Sequence, residues 1–142
     1  MYAKSVHPFS PASPVRSVMV WPVATVEHDV SLSEVAEALT ADEIGVLCVV
    51  ENDALAGIVS ERDVVAHVAT GADPAHLTAG DVMTSDVVTV GPEESVRAAA
   101  RRMHEGQIRH LPVLEDGAIA GMISIRDLLA VLVGHEGETD PS

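Results

Sequence analysis

The sequence predicts a mixed α+β fold: two tandem β-α-β-β-α repeats packed on each other with pseudo-twofold symmetry. Three observations lead there. Residues 18–65 align with residues 82–129 without a gap, at a constant offset of 64, and 17 of the 48 pairs are identical. Each copy passes through strand-like and helix-like apolar periods in the same order. Finally, a half of about 50 residues cannot bury its apolar faces alone, so each copy needs the other as cover.

The first element of each copy is a short β-branched strand, Val23–Val26 and Val87–Val90. A helix follows. Its apolar residues Leu32, Val35, Ala36 and Leu39 recur as Val96, Ala99, Ala100 and Met103, and that 3-1-3 spacing lays one stripe along a helical face. Ser31-x-x-Glu34 has the form of a capping box, and Ser95 holds the equivalent cap position. Two strands come next, Val46–Val50 and Ala54–Val59, turning at Glu51-Asn52-Asp53. Their counterparts Leu111–Leu114 and Ala118–Ile123 turn at Glu115-Asp116-Gly117, where Asp-Gly favours a tight hairpin. A second helix starts after Ser60 and Ser124 and runs to about Ala69 and Val133. The repeats are therefore 15–69 and 81–133, with a linker over 70–80. Residues 1–14 hold Pro8, Pro11 and Pro14 and no periodicity, which predicts a flexible arm. Residues 134–142 are acidic and lack apolar side chains, which predicts a disordered tail.

Composition removes several function classes. Tyr2, Phe9 and Trp21 are the only aromatic residues of 142, so base-stacking platforms and aromatic cages lack their side chains and the core must be aliphatic. Eight Lys and Arg against 22 Asp and Glu leave a net charge of −14, which opposes nucleic acid and anionic membrane over most of the surface. The longest near-apolar run, Ile44–Val50, is far short of the roughly 20 residues of a membrane span. With no signal-like N-terminus and a lone Cys48, the expected compartment is a reducing cytoplasm. The seven His include no i, i+4 pair, so neither a metal site nor a nucleophile–base constellation is expected, and the chain is not read as an enzyme.

The repeated chemistry is Gly57-Ile58-Val59-Ser60-Glu61-Arg62-Asp63, which returns as Gly121-Met122-Ile123-Ser124-Ile125-Arg126-Asp127. Ser-x-x-Asp at a strand-to-helix junction has two readings. It can be a capping box, with Ser accepting an amide proton and Asp complementing the helix dipole. Equally, the free N–H groups and the hydroxyl can hold an anion while the carboxylate accepts from a ribose diol. Both readings use the same geometry.

These motifs together resemble the CBS-domain family. Val23-Ala24-Thr25-Val26 and Val87-Val88-Thr89-Val90 match its first strand, and Arg109-His110-Leu111-Pro112-Val113 matches its third element. Val82-Met83-Thr84 matches its lead-in, and the two Gly-to-Asp segments close the pattern, so the resemblance spans about 15–133. It implies a regulatory module binding AMP, ADP, ATP or S-adenosylmethionine in clefts between the repeats, with no resident cofactor. Asp63 and Asp127 would accept ribose hydroxyls; Ser60, Arg62, Ser124 and Arg126 would face phosphates; Thr25, Thr89, Arg109, His110 and Pro112 would complete the binding surface. A homodimer formed through helices, and a protein target, are also implied. A ligand-free dimerising adaptor and a nucleic-acid-binding relative are the alternatives.

The copies differ in charge. The aligned segment 18–65 has a single cation, Arg62, whereas 82–129 has Arg97, Arg101, Arg102, Arg109 and Arg126. Gly45-Val46 and Cys48 replace Arg109-His110 and Pro112. A polyphosphate should therefore prefer the site reached by Arg109, His110 and Arg126. Arg97 and Arg101 fit a solvated helix face, and for Arg102 that reading stays open.

Overall fold

The computed structural model describes residues 9–41 and 45–139. Its elements are β1 (Thr25–Glu27), α1 (Leu32–Ala41), β2 (Val46–Glu51), β3 (Ala54–Ser60), α2 (Glu61–Ala69), α3 (Ala79–Val82), α4 (Val96–Gly106), β4 (His110–Glu115), β5 (Ala118–Ser124) and α5 (Ile125–Thr139). They gather into two compact units. Of the described residues, the first contains those within Val23–Val87 and the turn Asp116–Ile119; the second contains those from 9 to Pro22, Val88–Glu115 and those from Ala120 to 139.

In the first unit β1 runs parallel to β2, with Thr25 opposite Cys48 and Glu27 opposite Val50, and β2 runs antiparallel to β3. The connecting turn places Asn52 and Asp53 at positive φ, the mirror-image conformation that suits the twist of a two-residue hairpin. Leu32, Val35 and Leu39 of α1 close over Leu47, Val49 and Val59 as the core, while Ala36, the fourth residue of the predicted stripe, is only half-buried. Thr84 then adds to β3: Thr84 and Ile58 exchange backbone hydrogen bonds of 2.8 and 3.0 Å. The lead-in of repeat two thus completes the sheet of repeat one. Residues 70–80 are correspondingly no loose linker. Leu77 packs on the first core and its carbonyl accepts from the Leu32 N–H, while Thr78 and Asp81 form the capping box of α3.

The second unit mirrors this arrangement, with Val96, Ala99 and Met103 of α4 packed against Leu111, Val113 and Ile123. Val20 bridges Met122, so the lead-in of repeat one completes the sheet of repeat two. Residues 9–14 depart from the flexible arm expected of 1–14. Pro11 and Ser13 carbonyls accept from Arg97 and Val96 at the start of α4, Pro14 pairs with Ser95, and Phe9 packs on the core. The otherwise orphaned amides of the first helical turn recruit this segment. Residues 1–8 lie outside the described part. The tail expected over 134–142 also departs over 134–139, because α5 continues to Thr139; residues 140–142 lie outside the described part. Leu128 and Val131 anchor the helix, Gly134 and Gly137 cost it only about 1 kcal/mol each, and no proline interrupts it before Pro141.

The strand expected over Val87–Val90 shrinks to a single bridge between Val90 and Val113. In the first copy Cys48 donates to Ala24 and His28 donates to Val50, rungs on either side of the central pair. Their counterparts are Pro112 and Pro92, which have no N–H to give. Only the Val90 rungs remain, at 3.1 and 3.0 Å.

Cys48 is buried in β2, and burial pushes its thiol up to about 11. A thiol reagent at neutral pH is expected to modify it only after unfolding. Rapid labelling of the native protein would show that β2 opens readily.

Candidate functional site

Each unit carries one Ser-x-x-Asp corner, and the two have the same internal geometry. In the first, Asp63 Oδ2 accepts from the Ser60 N–H at 2.8 Å and from the Ser60 hydroxyl at 3.0 Å, while the Asp63 N–H donates to Ser60 Oγ at 3.2 Å. Ser124 and Asp127 make the same three bonds at 2.8, 3.0 and 3.2 Å. The capping reading is thus realised in full. It also aims the carboxylate: Oδ2 is occupied, and Oδ1 has no hydrogen-bond partner among the described residues, so it can accept from a ligand hydroxyl without disturbing the cap.

The strand opposite each corner is tied to it. The Glu61 N–H donates to the Gly45 carbonyl at 3.0 Å, and the Ile125 N–H donates to the Arg109 carbonyl at 2.8 Å. The residues at these equivalent positions decide the chemistry. At the first corner they are Gly45 and Val46, leaving exposed Arg62 as its cation. At the second they are Arg109 and His110, joined by exposed Arg126. The second corner can therefore meet an anion with two guanidinium groups and an imidazole, the first with one guanidinium.

His110 is half-buried, and burial holds its pKa below the ordinary histidine value; Asp127 pulls it back up and Arg109 pushes it further down. The folded state therefore binds this proton less readily than the unfolded chain. Stability is full above the ordinary histidine pKa and falls as pH drops through it. In urea titrations between about pH 7.5 and about pH 5.5, the wild type should lose more stability than His110→Gln. Parallel pH profiles would dismiss the imidazole from this corner's electrostatics.

The remaining predicted residues are placed differently. Thr25 is exposed on β1, and Thr89 is half-buried with its carbonyl accepting from Arg102 at 2.9 Å. Pro112 is fully buried, so any contact it offers a ligand goes through neighbouring main chain. Arg102, left open by the sequence, is not a solvated cation. It pairs with both oxygens of Glu94, a bidentate contact that holds the Glu94 carboxyl below its usual range. Arg97 and Arg101 are exposed, as a solvated face requires. Among the described residues no group of three or more His, Cys, Asp or Glu is arranged to hold a metal ion.

Two features had not been read from the sequence. Gly57 and Gly121 lie under the lead-in segments, where a Cβ would come within 2.6 Å of Met83 Sδ and 2.5 Å of Met19 Sδ. Their recurrence at the 64-residue offset was visible, but the segment covering them was not. The second feature is an apolar groove on the helical face of the second unit, lined by Ala100, Ile108, Leu128, Leu129 and Leu132 with Arg109 at its edge.

A family model described as CBS domain matches residues 15–70 and 79–134. The chain belongs to the CBS-domain family. As a tandem CBS pair it is similar to the mitochondrial CBS domain-containing protein CBSX3 of Arabidopsis thaliana, 36% identical over 114 residues, which are 76% of this chain and 55% of that one. It thus spans about half of that relative. The CBS domain-containing protein YhcV of Bacillus subtilis is 27% identical over 124 residues, covering 87% of this chain and 89% of that one. Among solved structures, the CBS domain pair of protein MJ0100, in complex with 5′-methylthioadenosine and S-adenosyl-L-methionine, shares the fold at a TM-score of 0.81 and 25% identity, covering 88% of this chain and 99% of that one. No helix among the described residues of this CBS pair is long and apolar enough to cross a membrane.

Proposed function

We propose that this CBS pair is a regulatory sensor of adenosine-containing ligands, AMP, ADP, ATP or S-adenosylmethionine, and acts without catalysing a reaction. The observation that carries the reading is the twin Ser-x-x-Asp corner, whose carboxylate is fixed by its own cap and keeps Oδ1 open. A ribose diol fits that acceptor, the guanidinium groups of Arg62 and Arg126 suit an anion, and aliphatic walls suit adenine where aromatic residues are missing. The complex of MJ0100 with two adenosine compounds supports the same ligand class. The ligand would bias the protein between two states by binding them unequally, and a protein target would read the difference.

Two copies would associate through helical faces, supported by the exposed apolar residues Ile125, Leu129, Leu132 and Val133 of α5. Buried Cys48 is compatible with the cytoplasm as the working compartment.

A second reading, a structural adaptor that binds no ligand, draws on the caps being complete within the chain. Thermal-shift and calorimetric titrations with the four ligands separate the two. Sensing requires a rise in melting temperature that grows with ligand concentration; no shift at millimolar ligand would leave the adaptor.

A further inference from the structure

The two corners differ in an acid as well as in their cations. Glu61 opens α2 at the position where α5 opens with Ile125. Its side chain is exposed, and Oε1 lies 3.6 Å from the point where a side chain on Gly45 would begin. The Glu61 N–H donates to the Gly45 carbonyl at 3.0 Å, which ties the helix start to the same residue. Beyond Gly45's own chain neighbours, no other described atom comes within 4 Å of that point, and Gly45 is not in the left-handed region. Packing therefore does not demand a glycine here. Its absent side chain leaves the space to a carboxylate, where the second corner has the side chain of Arg109.

The sign of the charge is thereby inverted. Glu61, Arg62 and Asp63 leave the first corner at −1, whereas Arg109, Arg126 and Asp127 leave the second at +1. The sequence also sets Asp42 and Glu43 just ahead of Gly45, where the second copy has Gly106 and Gln107. An acid in a first helical turn complements the helix dipole, but Asp63 of the capping box already does so. Glu61 and Asp63 share one turn of about 5.4 Å pitch, and exposed charges interact over about 10 Å in 0.1 M salt. Whatever is attached to a ribose held by Asp63 therefore enters the field of the Glu61 carboxylate. That field repels a polyphosphate. It attracts the 5′ substituent of S-adenosylmethionine, which carries a sulfonium and an ammonium to suit Glu61 and a carboxylate to suit Arg62.

We infer that the first corner selects S-adenosylmethionine over ATP, and that Glu61 is the residue that sets this preference. The inference rests on the adenosine-sensing reading above and adds the ligand class that the first corner takes. The selection works by rejection as much as by attraction: the carboxylate over Gly45 opposes phosphate at the corner that has the fewest cations to offset it.

Calorimetric titration of the full chain with ATP and with S-adenosylmethionine tests this in an Asp127→Asn background, which weakens the second corner and leaves the first to be read. S-adenosylmethionine should bind that protein more tightly than ATP. Adding Glu61→Gln, which removes the charge and keeps the shape, should raise ATP affinity about threefold and lower S-adenosylmethionine affinity about threefold, within what one exposed charge contributes. Gly45→Arg in the same background, which supplies the guanidinium of the second corner, should move the preference the same way. A ratio of affinities unmoved by Glu61→Gln would overturn the selectivity while ligand sensing stands. Equal changes in both affinities, the mark of an acid that only stabilises the helix, would do the same, as would tighter ATP binding before Glu61 is altered. A wild-type chain that binds neither ligand at millimolar concentration would overturn the sensing reading, and this inference with it.

Discussion

Gly57→Ala is expected to destabilise the protein by about 2 kcal/mol, near the middle of the range for forcing a methyl group into a packed site. The added Cβ would lie 2.6 Å from Met83 Sδ, 2.8 Å from Met83 Cγ and 2.7 Å from the Thr84 carbonyl oxygen. The methionine can swing aside. The carbonyl cannot, because it accepts the Ile58 N–H at 3.0 Å as part of the two-bond bridge that adds residue 84 to β3. The methyl group therefore either breaks that bridge or bends β3. Gly121→Ala meets a more forgiving neighbour: Met19 is again at 2.5 Å, but the nearest carbonyl, that of Val20, lies at 3.0 Å. Its cost should be smaller, and Met19→Ala should relieve most of it, whereas Met83→Ala should relieve Gly57→Ala only in part. Urea denaturation of the four variants measures this. A Gly57→Ala protein as stable as the wild type would mean that the lead-in segment is not held against β3 in solution.

Asp127→Asn should weaken adenine-nucleotide binding by about tenfold to a hundredfold, the amount that corresponds to one hydrogen bond to a charged group. Asparagine keeps its one oxygen to accept from Ser124, so the cap and the fold persist, and what changes is the group facing a ribose diol, an NH2 donor in place of a charged acceptor. Asp63→Asn should cost less in ATP affinity. Its corner has Gly45 and Val46 where the second has Arg109 and His110, so a polyphosphate gains less there from the start. The two variants should nevertheless lose similar stability without ligand, since their caps have the same geometry. Calorimetric titration of ATP into both decides the matter. Equal losses of affinity would remove the asymmetry between the corners, and unchanged affinity in both would remove these carboxylates from the site.

Much of the local structure was legible because it depends on local causes. The α1 and α4 stripes follow from 3.6-residue periodicity, and Leu32, Val35 and Leu39, with Val96, Ala99 and Met103, are the residues that became buried. Ser60 and Ser124 start helices because a hydroxyl there satisfies an amide the helix leaves open. The shortened first strand of repeat two was not legible, because that Pro92 and Pro112 remove rungs follows only once the residues facing one another across the sheet are known. The same limit applied to Arg102. A cation on a helix face reads as solvated until Glu94 is found within reach.

The sequence by itself determined the repeat, the order of elements apart from α3 and the strand over 87–90, the aliphatic core, the capped corners and the charge difference between the copies. All of these follow from residue type and spacing along the chain. Only the tertiary structure decided that each lead-in segment completes the sheet of the other repeat, that Gly57 and Gly121 make room for it, and that residues 9–14 and 77–82 are tied into packed units. The physical reason is that a backbone hydrogen bond can be made with any strand edge in reach. Residue identity says that an edge must be paired, and only the folded chain says with what.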